Sequence, residues 1–158
     1  MPGRDPNHWL YRYSADEWLS AGMRELTAAK RSIAMHASRQ GLASARRAAG
    51  MGWNAVLALH EVVDERFGRT YVEHLRALAD GISPLDSWDF PVPDEVRDAA
   101  RRLLEDAAAG PRDVVQILTP KRDERLLDAA ETVLAEAYAR VARAKAMGGP
   151  RVPSRPPS

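Results

Sequence analysis

The side chains that could carry chemistry in this chain are four histidines, its carboxylates and its many arginines. The sequence has no cysteine, which excludes disulfide bonds, thiolate catalysis and cysteine-ligated metal centres. Two pairs share the spacing Arg-x4-His, namely Arg69 with His74 and Arg31 with His36. A neutral histidine can accept the proton of a ribose 2′-hydroxyl or protonate the leaving oxygen, while an arginine holds the phosphate. The spacing therefore predicts a candidate site for RNA cleavage.

Of these two pairs, Arg69 and His74 form the better candidate catalytic site. Arg69 follows Gly68 at the start of a predicted helix, where free backbone amides favour a phosphate. Arg31 instead lies in the middle of a predicted helix, among residues expected to face solvent. The alternative interpretation of His74 is a helix residue at a packing surface, with no chemical role.

A metal site is a second interpretation of the histidines. His60 and Asp64 are four residues apart and share a helix face, and His74 or His36 would supply a third ligand. The spacing matches half of a His-Glu-x-x-His motif, but Asp64 stands where the second histidine belongs. A solvated helix end is the alternative, and we expect neither a metal nor another cofactor.

Other polar residues have both a structural and a functional interpretation. Asn54 lies in a stretch of small and apolar residues. It is interpreted either as a buried hydrogen-bonding group that fixes helix register or as a group that orients a functional site. The pairs Arg46-Arg47 and Arg101-Arg102 would contribute to a phosphate-binding surface, or they lie on solvated helix faces. Neither pair is interleaved with the aromatic residues of a single-strand binding groove.

Composition limits the classes of function. The chain has 158 residues, 45% of them hydrophobic and 28% charged, which is typical of one globular domain. A formal net charge of +1 provides no strong overall field for nucleic acid or anionic lipid. The sequence has no long uncharged apolar run, and its polar start at residues 1–7 does not resemble a secretory signal. We therefore predict a cytoplasmic protein without membrane contact.

Hydrophobic periodicity predicts an all-α, up-and-down bundle of about five helices. Ser14 and Glu17 form a capping box at the start of the first helix. Gly50 and Gly52 lower the stability of the second helix. This cost is tolerable where a neighbouring helix must come close, so we place the second helix at the centre of the bundle. A kink at these glycines is the alternative. The predicted helices span residues 15–38, 42–63, 69–80, 95–109 and 120–147.

The connections are less regular than the helices. Gly41 is predicted to end the first connection, and a proline-rich loop covers residues 82–93. Residues 114–118 read as a strand or, since no partner strand is evident, as a short helical turn. Thr119 followed by Pro120 predicts the start of the last helix. We divide the chain into an N-terminal arm at 1–13, the bundle at 14–147 and a disordered tail at 148–158.

Together these features resemble the HEPN domains of prokaryotes. The resemblance rests on the capped first helix, the small-residue second helix, the Arg69-x4-His74 helix and the long last helix, mainly between Trp18 and Leu78. It implies an all-α homodimer in which two Arg-x4-6-His motifs meet and form a metal-independent ribonuclease site. It also implies a toxin–antitoxin or defence role, with RNA as ligand and a protein partner such as a nucleotidyltransferase. Thr70 departs from the polar Asn, Asp or His that usually follows the arginine.

The alternative function is a non-enzymatic helical module for dimerisation or protein interaction. It is motivated by aromatic residues in the arm and the loop that exceed what a monomer's core needs. These residues are Trp9, Tyr11, Tyr13, Trp88 and Phe90. A metal-dependent bundle enzyme is a third possibility. Whether the chain is an enzyme is left open by the sequence.

Overall fold

The computed structural model describes residues 9–60, 65–82, 91–105 and 112–147. Across these ranges the regular structure is entirely helical, which confirms the predicted all-α bundle. None of the helices in these ranges is both long enough and apolar enough to cross a membrane. The α-helices are α1 (Ala15–Ala34), α2 (Ser38–Leu57), α3 (Tyr71–Ala79), α4 (Asp94–Glu105) and α5 (Arg112–Ala146), with 3₁₀ turns at Trp9–Arg12 and Glu65–Phe67.

Helix α1 begins as predicted and ends earlier. The Ser14 hydroxyl accepts a hydrogen bond from the Glu17 amide at 3.1 Å, and the Glu17 carboxylate accepts one from the Ser14 amide at 2.9 Å. The helix stops at Ala34 rather than at residue 38 because His36 has a φ of 63°. The amides of His36 and Ala37 then donate back to the carbonyls of Ile33 and Ser32. Glycine is the usual residue at such a left-handed position. Because a histidine stands there, nothing in the sequence signals that the helix ends at this point.

Helix α2 begins at Ser38, so the prediction that Gly41 ends the connection was wrong. Gly41 is a buried residue of the first helical turn, and a Cβ there would lie 3.0 Å from the Ile33 Cδ1. Its role is close packing between α1 and α2. The helix runs unbroken through Gly50 and Gly52, so the predicted alternative of a break is also wrong. It ends at Leu57, and residues 61–63 of the predicted span lie outside the described ranges.

The central position predicted for α2 is confirmed by its contacts with α1, α3, α4 and α5. Its small residues let these neighbours approach the helix backbone. A Cβ on Gly50 would lie 2.6 Å from the Tyr71 Cβ of α3, and one on Gly52 would lie 2.6 Å from the Leu134 Cδ1 of α5. Both distances are too short for carbon atoms, so these helices pack where they do because α2 has glycine there.

The last helix starts at Arg112, whereas the sequence predicted a start at Pro120. Residues 114–118 are therefore part of α5, and neither the strand nor the separate short turn is correct. Proline has no N–H to donate to the carbonyl four residues earlier, but its φ of about −65° is itself helical, so a helix can continue through it. The observed bounds of the shorter helices differ less from the predicted ones. The predicted 69–80 is observed as Tyr71–Ala79, and the predicted 95–109 begins at Asp94 and is described to Glu105.

Helix α5 runs antiparallel to α1. The Lys30 ammonium of α1 lies 2.7 Å from the Glu131 carboxylate, and Lys145 near the end of α5 lies 2.7 Å from Asp16 near the start of α1. Both pairs are about half exposed, so each contributes little to stability. Their value here is geometric, because they place the end of α5 beside the start of α1.

We expect Gly50→Ala to destabilise the fold by about 1–3 kcal/mol, because the new methyl group would meet the first atoms of the Tyr71 side chain and α3 would have to move. Gly52→Ala is the matched control. There the methyl group meets only the end of the Leu134 side chain, which can rotate, and alanine gains up to about 1 kcal/mol of helix propensity. Urea unfolding of both variants measures the difference. Equal destabilisation by the two substitutions would contradict this account.

Candidate functional site

The start of α3 carries the predicted catalytic pair, and two of the backbone amides there are already occupied. The Thr70 hydroxyl accepts a hydrogen bond from the Glu73 amide at 3.1 Å, and the Glu73 carboxylate accepts one from the Arg69 amide at 3.2 Å. A Cβ at Gly68, whose φ is 63°, would overlap this carboxylate. Glu73 thus supplies the negative charge that the sequence analysis assigned to a phosphate.

His74 lies inside the protein, with 0% of its surface exposed. Its ring stacks on Trp9 at a centroid distance of 5.8 Å and meets the edge of Tyr71 at 6.2 Å. The His74 Nδ1 is 2.5 Å from the Phe67 carbonyl oxygen, which makes Nδ1 the protonated nitrogen of the neutral ring. The buried Nε2 has no hydrogen-bond partner within the described part of the chain.

The environment of His74 favours its neutral form. Burial lowers the pKa of His74, and the Phe67 carbonyl and the Glu73 carboxylate oppose that effect only in part. A neutral imidazole has the correct charge for a general base. It has no open path to a substrate, however, because Trp9 and Tyr71 cover the ring.

The two Arg-x4-His pairs differ in how exposed their members are. Arg69 is exposed ahead of α3 while His74 is enclosed within the bundle, so the two do not share an open surface. Arg31 and His36 are both exposed, but His36 serves as the left-handed cap that ends α1. A phosphate on the surface beside Arg69 would therefore not reach the enclosed His74 ring.

The alternative interpretation of the histidines as metal ligands finds no assembled site in the described ranges. His60 is fully buried, so its interpretation as part of a solvated helix end was wrong. Its carbonyl accepts a hydrogen bond from the Tyr11 hydroxyl at 2.8 Å. Asp64 lies outside the described residues, and His36 is exposed. Across the described ranges no group of three or more histidines and carboxylates could hold a metal ion.

The remaining polar candidates have structural positions. Asn54 is fully buried as predicted, yet neither of its amide atoms has a hydrogen-bond partner among the described residues. Arg46 donates to the Leu103 carbonyl at 2.8 Å, which ties α2 to α4. Arg47 donates to Glu25 of α1 at 2.8 Å. These two arginines therefore join helices.

An open groove of about 680 Å³ lies along the outer face of α1, at its border with α2. Tyr13 stands at the groove with 42% of its surface exposed and packs edge-on against Trp18 at 4.9 Å between centroids. Trp18 is held in place because its Nε1 donates to the Leu10 carbonyl at 2.8 Å. Ala21 and Met51 add apolar surface to the lining.

The polar lining of this groove is mainly acidic. Asp16, Glu17 and Glu25 contribute three carboxylates, against the single guanidinium of Arg24. Glu25 is paired with Arg47, and Asp16 is paired with Lys145 at the edge of the groove. With Arg24, these cations balance the charge of the three carboxylates. What the groove offers a ligand is the exposed ring of Tyr13 beside the exposed carboxylates of Asp16 and Glu17, which can accept further hydrogen bonds from a cationic group.

The sequence analysis did not identify this groove. It placed Tyr13 in the arm as a candidate interaction residue, and the structure assigns Trp9 and Tyr11 of the same set to packing inside the protein. Trp88 and Phe90 lie outside the described residues. The available signal was the combination of Tyr13 with acidic residues on the outward face of α1. Whether this face of α1 borders a groove depends on where α2 packs against it. The apolar pattern of α1 alone does not carry that information.

Comparison with known proteins finds no relative of this chain. No protein-family model, no curated protein and no solved structure matches the chain. The resemblance to HEPN domains therefore stays a prediction.

We expect the stability of the protein to fall as the pH drops below about 6.5, the ordinary histidine pKa, because His74 has a lower pKa in the folded state. The unfolded chain binds the proton first, so the stability contributed by neutral His74 is present above that pH. It is lost toward the lower folded pKa, by up to about 1.4 kcal/mol per pH unit.

Urea unfolding between pH 7.5 and 5.5 measures this slope. His74→Asn keeps a donor for the Phe67 carbonyl and should flatten the slope, whereas the exposed control His36→Asn should keep it. An unchanged slope in His74→Asn would contradict the assignment.

Proposed function

We propose that this chain is a non-enzymatic interaction module, and that its groove binds an extended segment of a partner protein containing proline and arginine. The observation that carries the proposal is the groove itself, where the exposed Tyr13 and the anchored Trp18 lie beside three carboxylates. Flat aromatic rings offer proline a rigid apolar surface, and carboxylates pair with arginine.

The groove is long enough to hold a short extended peptide. Its α1 wall extends from Asp16 to Glu25, which corresponds to about 14 Å at the helical rise of about 1.5 Å per residue. A polyproline II segment advances about 3.1 Å per residue, so four or five residues would span this wall. Such a segment is already extended and has little conformational entropy to lose on binding.

The enclosure of His74 supports a function without catalysis. Its ring is covered by Trp9 and Tyr71, and the amides of Glu73 and Arg69 at the start of α3 donate to the side chains of Thr70 and Glu73. A histidine in this setting stabilises the packing of the N-terminal 3₁₀ turn on α3.

We expect the protein to bind a peptide of repeated Pro-Ala-Arg units and to bind the matching Pro-Ala-Glu peptide much more weakly. Tyr13→Ala should weaken binding roughly tenfold, since loss of an aromatic contact at an interface costs about 1–2 kcal/mol. Tyr138→Ala is the control, because Tyr138 has nearly the same exposure, 43%, and lies on α5 outside the groove lining. Isothermal titration calorimetry gives each Kd. Equal loss in both tyrosine variants, or equal binding of both peptides, would refute the proposal.

Metal-independent RNA cleavage by an HEPN-like homodimer is the second candidate function. The observation that favours it is the His74 Nε2, a buried nitrogen without a partner among the described residues. To reach RNA, the 3₁₀ turn at Trp9–Arg12 would have to move and uncover the ring, which would then accept the 2′-hydroxyl proton while Arg69 held the phosphate.

The two functions predict different results with mixed cellular RNA in the presence of EDTA. If the interaction module is correct, wild type, His74→Asn and His36→Asn all leave the RNA intact at high protein concentration. Cleavage by wild type and His36→Asn that is absent in a well-folded His74→Asn would establish the ribonuclease instead. Circular dichroism of each variant checks that the helices are retained.

A further inference from the structure

Helix α5 ends beside the groove. The Lys145 ammonium lies 2.7 Å from both carboxylate oxygens of Asp16, which is part of the groove lining. The Met147 amide donates to the Arg143 carbonyl at 3.0 Å and closes the last helical turn. Residues 148–158 therefore start within a few residues' reach of the groove.

The composition of residues 148–158 complements the groove. The segment carries Arg151 and Arg155 and no acidic side chain. Pro150, Pro153 and Pro156 recur at every third position. A polyproline II helix has three residues per turn, so prolines at this spacing share one edge of the helix. An edge of prolines matches the Tyr13 side of the groove, and the arginines match its carboxylates.

We propose that residues 148–158 fold back into the groove of the same molecule and compete there with the partner segment. This inference rests on the proposed function of the groove. The prolines pack against the exposed ring of Tyr13, which itself rests on the buried Trp18, and the arginines pair with the exposed carboxylates of Asp16 and Glu17. The tail is thus a built-in competitor, and a partner binds only by displacing it.

The length of the tail is sufficient for this path. Eleven residues extend to about 34 Å at about 3.1 Å per residue, more than twice the roughly 14 Å of the α1 wall. Attachment at the edge of the groove also gives the tail a local concentration on the order of millimolar. A partner segment of equal intrinsic affinity is therefore at a disadvantage until its own concentration reaches that level.

The test uses the full chain with Arg151→Glu combined with Arg155→Glu, and Arg39→Glu combined with Arg125→Glu as control. Arg39 and Arg125 are exposed on α2 and α5, so the control changes the net charge equally without touching the tail. One readout is the Trp18 indole signal in ¹H–¹⁵N NMR spectra of the ¹⁵N-labelled proteins, identified with Trp18→Phe. The other is the Kd for a synthetic peptide with the sequence of residues 148–158.

We expect the tail variant, and not the control, to shift the Trp18 signal and to bind the peptide about tenfold more tightly than wild type. Tenfold corresponds to a tail that occupies the groove about nine-tenths of the time. An unchanged Trp18 signal with an unchanged Kd would overturn the inference and leave the peptide-binding function standing.

Two further outcomes separate the proposals. A Trp18 shift in the tail variant without peptide binding to any protein would support tail occupancy and overturn partner binding. If the difference between wild type and tail variant vanishes on dilution, together with loss of a dimer in light scattering, the tail of a second copy fills the groove. That result would overturn occupancy within one molecule.

Discussion

The close packing of α2 against its neighbours is the constraint on which the rest of the structure depends. Gly50 lets Tyr71 of α3 lie directly on the α2 backbone, and Gly52 does the same for Leu134 of α5. The position of Tyr71 in turn determines where α3 lies and brings His74 under Trp9. The contacts that bury the candidate catalytic histidine therefore begin at a glycine on another helix.

Buried polar groups make this packing specific. Arg140 of α5 has no exposed surface, pairs with Glu136 at 2.8 Å and lies over the Trp53 ring at 5.4 Å. Its guanidinium also donates to the Pro91 carbonyl at 3.1 Å, which ties the segment before α4 to α5. Burying a charge is costly unless its partners are in place, so these contacts disfavour other arrangements of α5. The observed arrangement of α5 places its end at the start of α1, beside the groove.

The two candidate sites differ in what they offer a ligand. At α3 the Glu73 carboxylate already accepts from the Arg69 amide, and the His74 ring is buried and held by the Phe67 carbonyl. At the groove, Tyr13 is exposed and the carboxylates are open to solvent on at least one side. Binding depends on groups that gain contacts when a ligand arrives, and for that reason the groove is the stronger candidate.

The sequence alone determined the helical class of the protein, the capping box of α1 and the central place of α2. These features follow from local hydrogen bonding and from the period of apolar residues, which are properties of short stretches of chain. The Arg-x4-His spacing also lies within one stretch, but it does not encode whether the histidine faces solvent.

Only the tertiary structure decided that His74 is enclosed, that helix α5 continues through Pro120 and that a groove opens beside Tyr13. The burial of His74 requires Trp9 and the groove requires Met51, residues that lie far from their partners in sequence. Burial and concavity are properties of several helices packed together, so they are set by contacts between helices and cannot be read from the periodicity of any one of them.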